Sequence, residues 1–593
     1  MLAGYKSRVE ELQAKIDSLR TRKLWALAIT LKFVVIGVVL LIAAVHGTGL
    51  IVVALGVPLI GWTFALRSYV RTRAKAIQLA HRSGFYERGI ERMEDNWRGK
   101  GSTGSEFARD KHLYQTDLDI LGEGSLFELL ATTRTEVGAE RLAAFLLDSV
   151  SLEEALARQQ AVMELRGAAG LREEVALLGK YRFQNCEGKH LREWLSLPAL
   201  NVPRMVPIFL LFSGAVSLAL GLNGCARMLP WGQTLLLMAP WLAAQAGIGL
   251  KLMREVRIHL KTLLTLGGDV VVLRQGVGLI EHQQFHSVKL RSLVVRLCER
   301  KAEASIRELE HLLTAVERRE DFILYGFSLW LAAGTQLVLA TERWRAKHQK
   351  DFEDWIDAWA EFEALSAIAC YAYEHPMDVF PELLHGQARF EAKDLRHPLL
   401  PREGSVGNEL ALNDARAFYV ISGSNMAGKS TFLRAVGLNA VLAAAGSPVC
   451  AREARLTVFN LCTSISISDS LAEGKSKFLA EVERLRASIA ATEAGRPALF
   501  LIDEILSGTN SRDRRVAAES VIAALVAGGA VGALSTHDLS LTEIAGNPVL
   551  RGTNVHMRSE SPEEPLAFDY RIKPGILRQT NALAIVKMLG IQP

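Results

Sequence analysis

Residues 423–431 read Gly423-Ser424-Asn425-Met426-Ala427-Gly428-Lys429-Ser430-Thr431. The stretch has the form G-x-x-x-x-G-K-[ST], the spacing of a loop that cradles phosphates. Before it, Ala417-Phe418-Tyr419-Val420-Ile421 is short, apolar and rich in aromatic and β-branched residues, which predicts a buried strand. After it, residues 429–445 are rich in Ala, Leu and Val and contain no Pro, which predicts a helix. A strand, a tight glycine turn and a helix N-terminus aim backbone N–H groups at an anion. In such a loop Gly423 and Gly428 let the backbone approach the phosphates, Lys429 reaches the β- and γ-phosphates, and Ser430 offers its hydroxyl to Mg²⁺. The nine residues 423–431 are therefore the candidate binding set for ATP, with Mg²⁺ as its metal.

Working outward, Ala498-Leu499-Phe500-Leu501-Ile502 is an apolar run that ends in Asp503-Glu504. A buried strand delivering two carboxylates at its C-terminal end suits Mg²⁺-dependent phosphoryl chemistry. Asp503 is placed to hold the metal, and Glu504 to orient and polarise a water. After the next strand-like run, residues 531–534, comes Ser535-Thr536-His537-Asp538. It puts His537 just past a strand end, within reach of a γ-phosphate. The catalytic candidates are thus Lys429, Glu504 and His537, and the metal candidates Ser430 and Asp503.

Together these stretches resemble the ATPase region of the MutS-type mismatch-repair family, whose phosphate loop is close to G-P-N-M-G-G-K-S-T. The Asn425-Met426 pair carries much of the likeness. Residues 468–478, Ser-Asp-Ser-Leu-Ala-Glu-Gly-Lys-Ser-Lys-Phe, are similar to the family's signature segment. There a serine crosses to the γ-phosphate of a second copy, and Ser476 falls on it. Asp503-Glu504 with Gly508-Thr509-Asn510, Thr536-His537, Asn554-Val555-His556-Met557, Arg396-His397-Pro398 and Asn408 match further family stretches. Residues 117–142 resemble the start of the family's helical core, and the likeness covers roughly residues 112–200 and 255–593. The resemblance implies a homodimer through the ATPase domains, because Ser476 can act only in trans. It does not extend to a mismatch-reading domain or its Phe-x-Glu wedge. The stretch between the apolar run ending at residue 250 and the last core helices is too short for the family's DNA clamp. Leu506-Ser507 stands where the family has Gly-Arg, and no counterpart of its C-terminal helix-turn-helix is read before Pro593. What the resemblance implies as a partner is thus DNA, alongside a protein client, while the missing parts speak against mismatch recognition.

Hydropathy adds a second theme. Of 593 residues, 49% are hydrophobic and the mean hydropathy is +0.16, high for a cytosolic ATPase. Residues 24–45 carry a single charge, Lys32, and residues 50–66 none; only His46-Gly47-Thr48-Gly49 separates them. Residues 205–222 and 229–250 form a second such pair. Runs of about 20 apolar residues fit a bilayer. Lys and Arg cluster outside the pairs (Arg20, Arg22, Lys23, Arg67, Arg71, Arg204, Lys251, Arg254), while the loops inside them hold only His46 and Arg227. Positive flanks stay cytoplasmic, so both pairs read as hairpins that enter and return. A fifth apolar stretch, residues 322–341, has basic residues at both ends and is read as a buried core helix.

The net charge of +5 is accounted for largely by these flanks and argues little for nucleic acid. The six cysteines show no C-x-x-C spacing, so neither a zinc site nor a disulfide framework is indicated. Two amphipathic helices are expected from spacing: Ile306, Leu309, Leu313 and Val316 on one, and Phe478, Val482, Leu485 and Ile489 as the apolar face of the other.

The expected fold is an α/β ABC-type P-loop ATPase domain preceded by an all-α MutS-like core, with two transmembrane helical hairpins. Along the chain these are an N-terminal amphipathic helix (1–23), a first transmembrane hairpin (24–66), a linker (67–111) and a first helical-core segment (112–203). A second transmembrane hairpin (204–250), a second core or lever segment (251–380) and the ATPase domain (381–593) follow. The expected function is a membrane-anchored, Mg²⁺-dependent ATPase whose dimerisation serves a DNA-associated role. Its place is the bacterial inner membrane, with both termini and the ATPase in the cytoplasm. The alternative is an ABC-like membrane ATPase or an ATP-switched scaffold with a protein or membrane client.

Overall fold

A computed structural model describes residues 1–44, 51–179, 189–200, 202–203, 205–226, 228–319, 328, 332–465, 477–492, 495–507, 510–558 and 567–577. The chain opens with two long antiparallel helices, α1 (Leu2–Ala44) and α2 (Ile51–Met93). Leu12 and Tyr5 of α1 are buried, and the Tyr5 ring meets Tyr86 edge-on at 5.0 Å. The amphipathic stretch expected over 1–23 is thus the beginning of one continuous helix, and its apolar side packs within the chain. Likewise α2 runs through the first half of the expected 67–111 linker, a stretch without Pro that nothing interrupts. Between residues 24 and 39, and again from 60 to 70, large apolar side chains such as Trp25, Leu31 and Phe64 are exposed. The expected turn at residues 46–49 lies outside the described residues.

Short helices follow: α3 (Leu126–Leu130), α4 (Glu136–Leu147), α5 (Leu152–Gly167), α6 (Ala169–Ala176) and α7 (Lys189–Ser196). Ser125, Thr135 and Ser151 each cap a helix by accepting from a backbone N–H three residues on, which satisfies donors the helix leaves unpaired. A second antiparallel pair is α8 (Met205–Cys225) and α9 (Trp231–Glu281). Trp241 of α9 packs on Phe209 and Phe212 of α8, and Gln245 Nε2 donates to Leu210 O at 3.3 Å. Among the described residues these two helices are long and apolar enough to cross a membrane, with mean hydropathy of 2.2 and 1.5 over their most apolar windows. Buried core helices also reach such values, so the helices allow membrane association without establishing it.

Next come α10 (Val288–Cys298), α11 (Ala302–Arg318) and α12 (Ala333–Glu374). Ile306, Leu309, Leu313 and Val316 are all buried, as their spacing predicts. Residues 322–327 lie outside the described residues, while 333–341 form the first turns of α12. Further along α12, Phe352, Trp355, Trp359 and Phe362 are fully buried and centre the helical core.

The remainder is built on two sheets. Strands β1 (Glu382–Leu384), β2 (Phe390–Leu395) and β3 (Asn408–Leu412) precede β4 (Phe418–Ser422), α13 (Lys429–Ala444), β5 (Glu453–Thr457) and β6 (Asn460–Ser464). Then follow α14 (Lys477–Thr492), β7 (Ala498–Asp503), α15 (Ser511–Ala527), β8 (Val531–Thr536), β9 (Gly552–His556) and β10 (Lys573–Pro574). The smaller sheet has the order β1-β5-β2-β3 and the larger β10-β9-β4-β8-β7-β6. In the larger sheet all pairings are parallel except β9 with β10. The expected strands at 417–421, 498–502 and 531–534 are β4, β7 and β8. Every residue of β4 and β8 is buried, which matches their unbroken apolar character.

The face of α14 differs from expectation. Phe478 and Val482 are exposed, whereas Glu481, Leu485, Ser488 and Thr492 are buried. The helix turns Glu481 inward, where its carboxylate accepts a hydrogen bond from Leu506 N at 2.6 Å, so this buried charge is paired.

Candidate nucleotide site

The site sits at the C-terminal ends of β4, β8 and β7, where parallel α/β sheets offer a crevice. β8 lies between the other two, and the register pairs Ser422 with Thr536 and Ser535 with Asp503. The three strand ends therefore come level, and residues from all three can meet one ligand.

β4 leads straight into Gly423, whose φ is +146°. A Cβ there would overlap the Met557 carbonyl, so both the backbone angle and the space demand glycine. Residues Asn425–Ala427 make a single 3₁₀ turn, and Gly428, at φ +95°, starts α13. A Cβ on Gly428 would press on the Tyr570 ring at 3.0 Å. Ala427 is buried, Met426 and Thr431 are exposed and Ser424 is half-buried.

Lys429 is only 1% exposed, and its Nζ donates to Gly423 O at 2.5 Å. Burial lowers its pKa, and the carboxylates of Glu504 and Asp503 pull the other way. Ser430 Oγ donates to Asp503 Oδ2 at 2.5 Å, and Ser535 Oγ donates to Asp503 Oδ1. A carboxylate and a hydroxyl side by side form a hard-oxygen donor set that fits Mg²⁺. One residue on, Glu504 takes a φ of +51° and its N–H donates to Ser535 O at 3.1 Å. His537 Nδ1 lies 3.2 Å from Glu504 Oε1. The structure therefore brings together Lys429, Ser430, Asp503, Glu504 and His537. Ser476 and the Asn425 side chain lie outside the described residues.

Sequence reasoning missed an adjoining cavity of about 190 Å³ beside Gly428 and Thr431. His397, Val406, Asn408, Met557 and Tyr570 are among the residues that line it. Asn408 Nδ2 donates to Tyr570 O at 3.0 Å and its Oδ1 accepts from Ile572 N at 2.8 Å, which fixes the segment carrying the ring. Burial, with Arg434 and Arg98 nearby, pushes the His397 imidazole down to about 4, so this wall is neutral at physiological pH. Resemblance pointed to His397 and Asn408. Nothing local in the sequence marks Tyr570, whose segment is held beside the loop by the distant Asn408 side chain.

Comparison with known proteins returns one family model, MutS domain V, over residues 419–593. Among similar proteins is the DNA mismatch repair protein MutS of Thermus aquaticus, 37% identical over 292 residues, or 48% of this chain and 32% of that protein. The proteins of the same name from Thermus thermophilus (31% over 287 residues, 48% and 32%) and Thermotoga maritima (29% over 249 residues, 41% and 30%) are also similar. The chain spans about a third of the length of these curated relatives.

Proposed function

Since this chain is a MutS-type family member through its C-terminal region, we propose that it is a membrane-anchored ATPase that binds and hydrolyses ATP at residues 423–431, 503–504 and 537. One observation carries this reading. The Ser430–Asp503 contact and the Glu504–His537 contact lie at level strand ends around a buried lysine and a glycine turn. Mg²⁺ held by Ser430 and Asp503 supplies charge neutralisation for the β- and γ-phosphates. Backbone N–H groups of residues 424–430 and the start of α13 hold the phosphates, and Lys429 turns from Gly423 O to them. Glu504 orients the attacking water, and His537 steadies that carboxylate and faces the γ-phosphate. The neighbouring cavity, with the Tyr570 ring and neutral His397, suits a purine base. Ser476 completes the site of a second copy, which makes ATP binding and dimerisation one event.

The membrane role in the proposal rests on α8–α9 and on the exposed apolar lengths of α1 and α2, read as two hairpins and four spans with the ATPase on the cytoplasmic side. The relatives bear the name DNA mismatch repair protein, which makes DNA the first partner to test. The exposed apolar hairpin surface favours a second reading, an ATP-switched device whose client is a membrane or protein.

The test is ATP hydrolysis by the full chain in detergent, with and without duplex or branched DNA, using Glu504→Gln as the blank. Hydrolysis above the blank supports the ATPase. Stimulation by DNA that fades as salt rises supports the DNA-associated role, since phosphate contacts release counterions. Hydrolysis indifferent to DNA supports the membrane or protein client instead.

A further inference from the structure

The backbone behind Glu504 is held in a way that catalysis by Glu504 alone does not require. Two non-glycine residues there, Glu504 at φ +51° and Leu506 at φ +53°, occupy the left-handed region. Side chains with a Cβ avoid this region, so neighbours must hold each of them in place. At Leu506 both backbone polar groups are taken by side chains from other elements. Its N–H donates to Glu481 Oε1 at 2.6 Å, and Glu481, on α14, is 2% exposed. Its carbonyl accepts from Arg514 Nε at 3.1 Å, and Arg514 Nη2 also donates to Ser507 O at 3.1 Å. Arg514 lies on α15 and reaches Asp538 with Nη1 at 3.5 Å. Asp538 directly follows His537, and its side chain caps the next turn by accepting from Ser540 N at 3.0 Å.

We infer that Glu481 and Arg514 are positioning residues that hold the 504–507 loop with Glu504 and Leu506 in the left-handed region and so aim the Glu504 carboxylate at His537. The inference rests on the ATPase reading above. Glu481 clamps the loop from one side and Arg514 from the other, and Arg514 also holds Asp538, so one guanidinium sets both partners of the Glu504–His537 pair. A carboxylate acceptor for one N–H and a fork for two carbonyls are what the loop needs, and a lysine cannot donate to both carbonyls and reach Asp538 in one geometry.

The experiment compares wild type, Glu481→Ala, Glu481→Gln, Arg514→Ala and Glu504→Gln as full chains in detergent. Each is measured for kcat, for binding of a non-hydrolysable ATP analogue and for hydrogen exchange over residues 500–510. Glutamine keeps an acceptor for Leu506 N, and alanine does not. We expect kcat to fall at least tenfold in Glu481→Ala and Arg514→Ala, with analogue affinity within about twofold of wild type. Exchange at Leu506 should be faster in both, and Glu481→Gln should recover most of both losses. Full kcat in Glu481→Ala, or equal losses in kcat and analogue binding, overturns the positioning role while the ATPase reading stands. Wild type no more active than Glu504→Gln overturns the ATPase reading and the positioning role with it. Should Glu481→Ala fail to fold, the Glu481→Gln and Arg514→Ala pair still decides the matter by the same split.

Discussion

Glu363 shows how a single buried carboxylate sets a pH dependence. It projects from α12 onto the N-terminus of α4, where it accepts from the backbone N–H of Arg134, from Thr135 Oγ1 and, at 3.0 Å, from Thr135 N. Gly138 follows in the first turn because a Cβ there would overlap this carboxylate. These bonds favour the charged form, yet complete burial outweighs them and pushes the Glu363 carboxyl up to about 7. An acid whose folded pKa exceeds its unfolded value binds more protons when folded. Its contribution to stability is full below about 4.5 and is lost as pH rises through about 7, a difference on the order of 3 kcal/mol. Glu363→Gln mimics the protonated form, so the gap between the thermal midpoints of this variant and wild type should widen in favour of the variant from pH 5 to pH 7.5. A constant gap would show that Glu363 stays charged. His397 works in the opposite sense. Its folded pKa lies below that of a free imidazole, so its contribution is present above about 6.5 and fades as pH falls towards 4. The two windows overlap, and the comparison with Glu363→Gln isolates the first.

At the scale of elements, the segment 112–120 is a wedge between the helical core and the larger sheet. Asp117 is fully buried and accepts from Thr463 Oγ1 at 2.6 Å and from Ile465 N at 2.9 Å, at the end of β6. Arg484, on α14, lies 3.2 Å from Asp117 and donates to Leu113 O at 2.8 Å. Asp119 pairs with Arg434 of α13 at 2.6 Å. One short segment therefore ties down β6, the helix after the signature-like stretch and the helix after the phosphate loop. Removing one partner of a buried charged network leaves the others unpaired, and Asp117→Ala should cost roughly 3–5 kcal/mol in chemical denaturation, with Asp117→Asn losing less. Equal stability of Asp117→Ala and wild type would refute the wedge. This network also marks the limit of sequence reading. The phosphate loop, the apolar runs of β4, β7 and β8 and the buried face of α11 were legible because the signal lies within a few neighbouring residues. The inner face of α14 and the roles of Asp117, Glu481 and Tyr570 were not, because their partners lie far away in the chain and hydrophobic spacing gives no weight to a buried carboxylate.

For the whole molecule, the question is whether the N-terminal helical pair can feel the nucleotide. Its base is fixed at three points. Arg92 makes a doubly hydrogen-bonded pair with Glu374 at 2.6 Å, buried at the end of α12. Arg98 donates to Leu399 O, and Asp95 accepts from Arg402 N at 3.0 Å. Arg402 in turn grips Asp378 with two bonds of 2.6 Å. Leu399 and Arg402 flank Leu400, and Leu400 and His397 both line the cavity beside the phosphate loop. On the proposed reading, a base filling that cavity would touch His397 and Leu400, in the segment to which the helical pair is bolted, so the pair and the occupancy of the cavity would share one structural element. By linkage, whatever the surroundings of the helices do to nucleotide affinity, the nucleotide does to the helices in equal measure. A fluorescent ATP analogue titrated against the full chain in detergent and in lipid nanodiscs measures this coupling. We expect the two affinities to differ by a factor of about 5 or more, within the usual span of allosteric coupling. Arg98→Ala combined with Asp95→Ala should bring them together while leaving binding in detergent within about twofold, because neither side chain lines the cavity. Identical affinities for wild type in both surroundings would mean that no coupling passes between the helical pair and the nucleotide through residues 395–402.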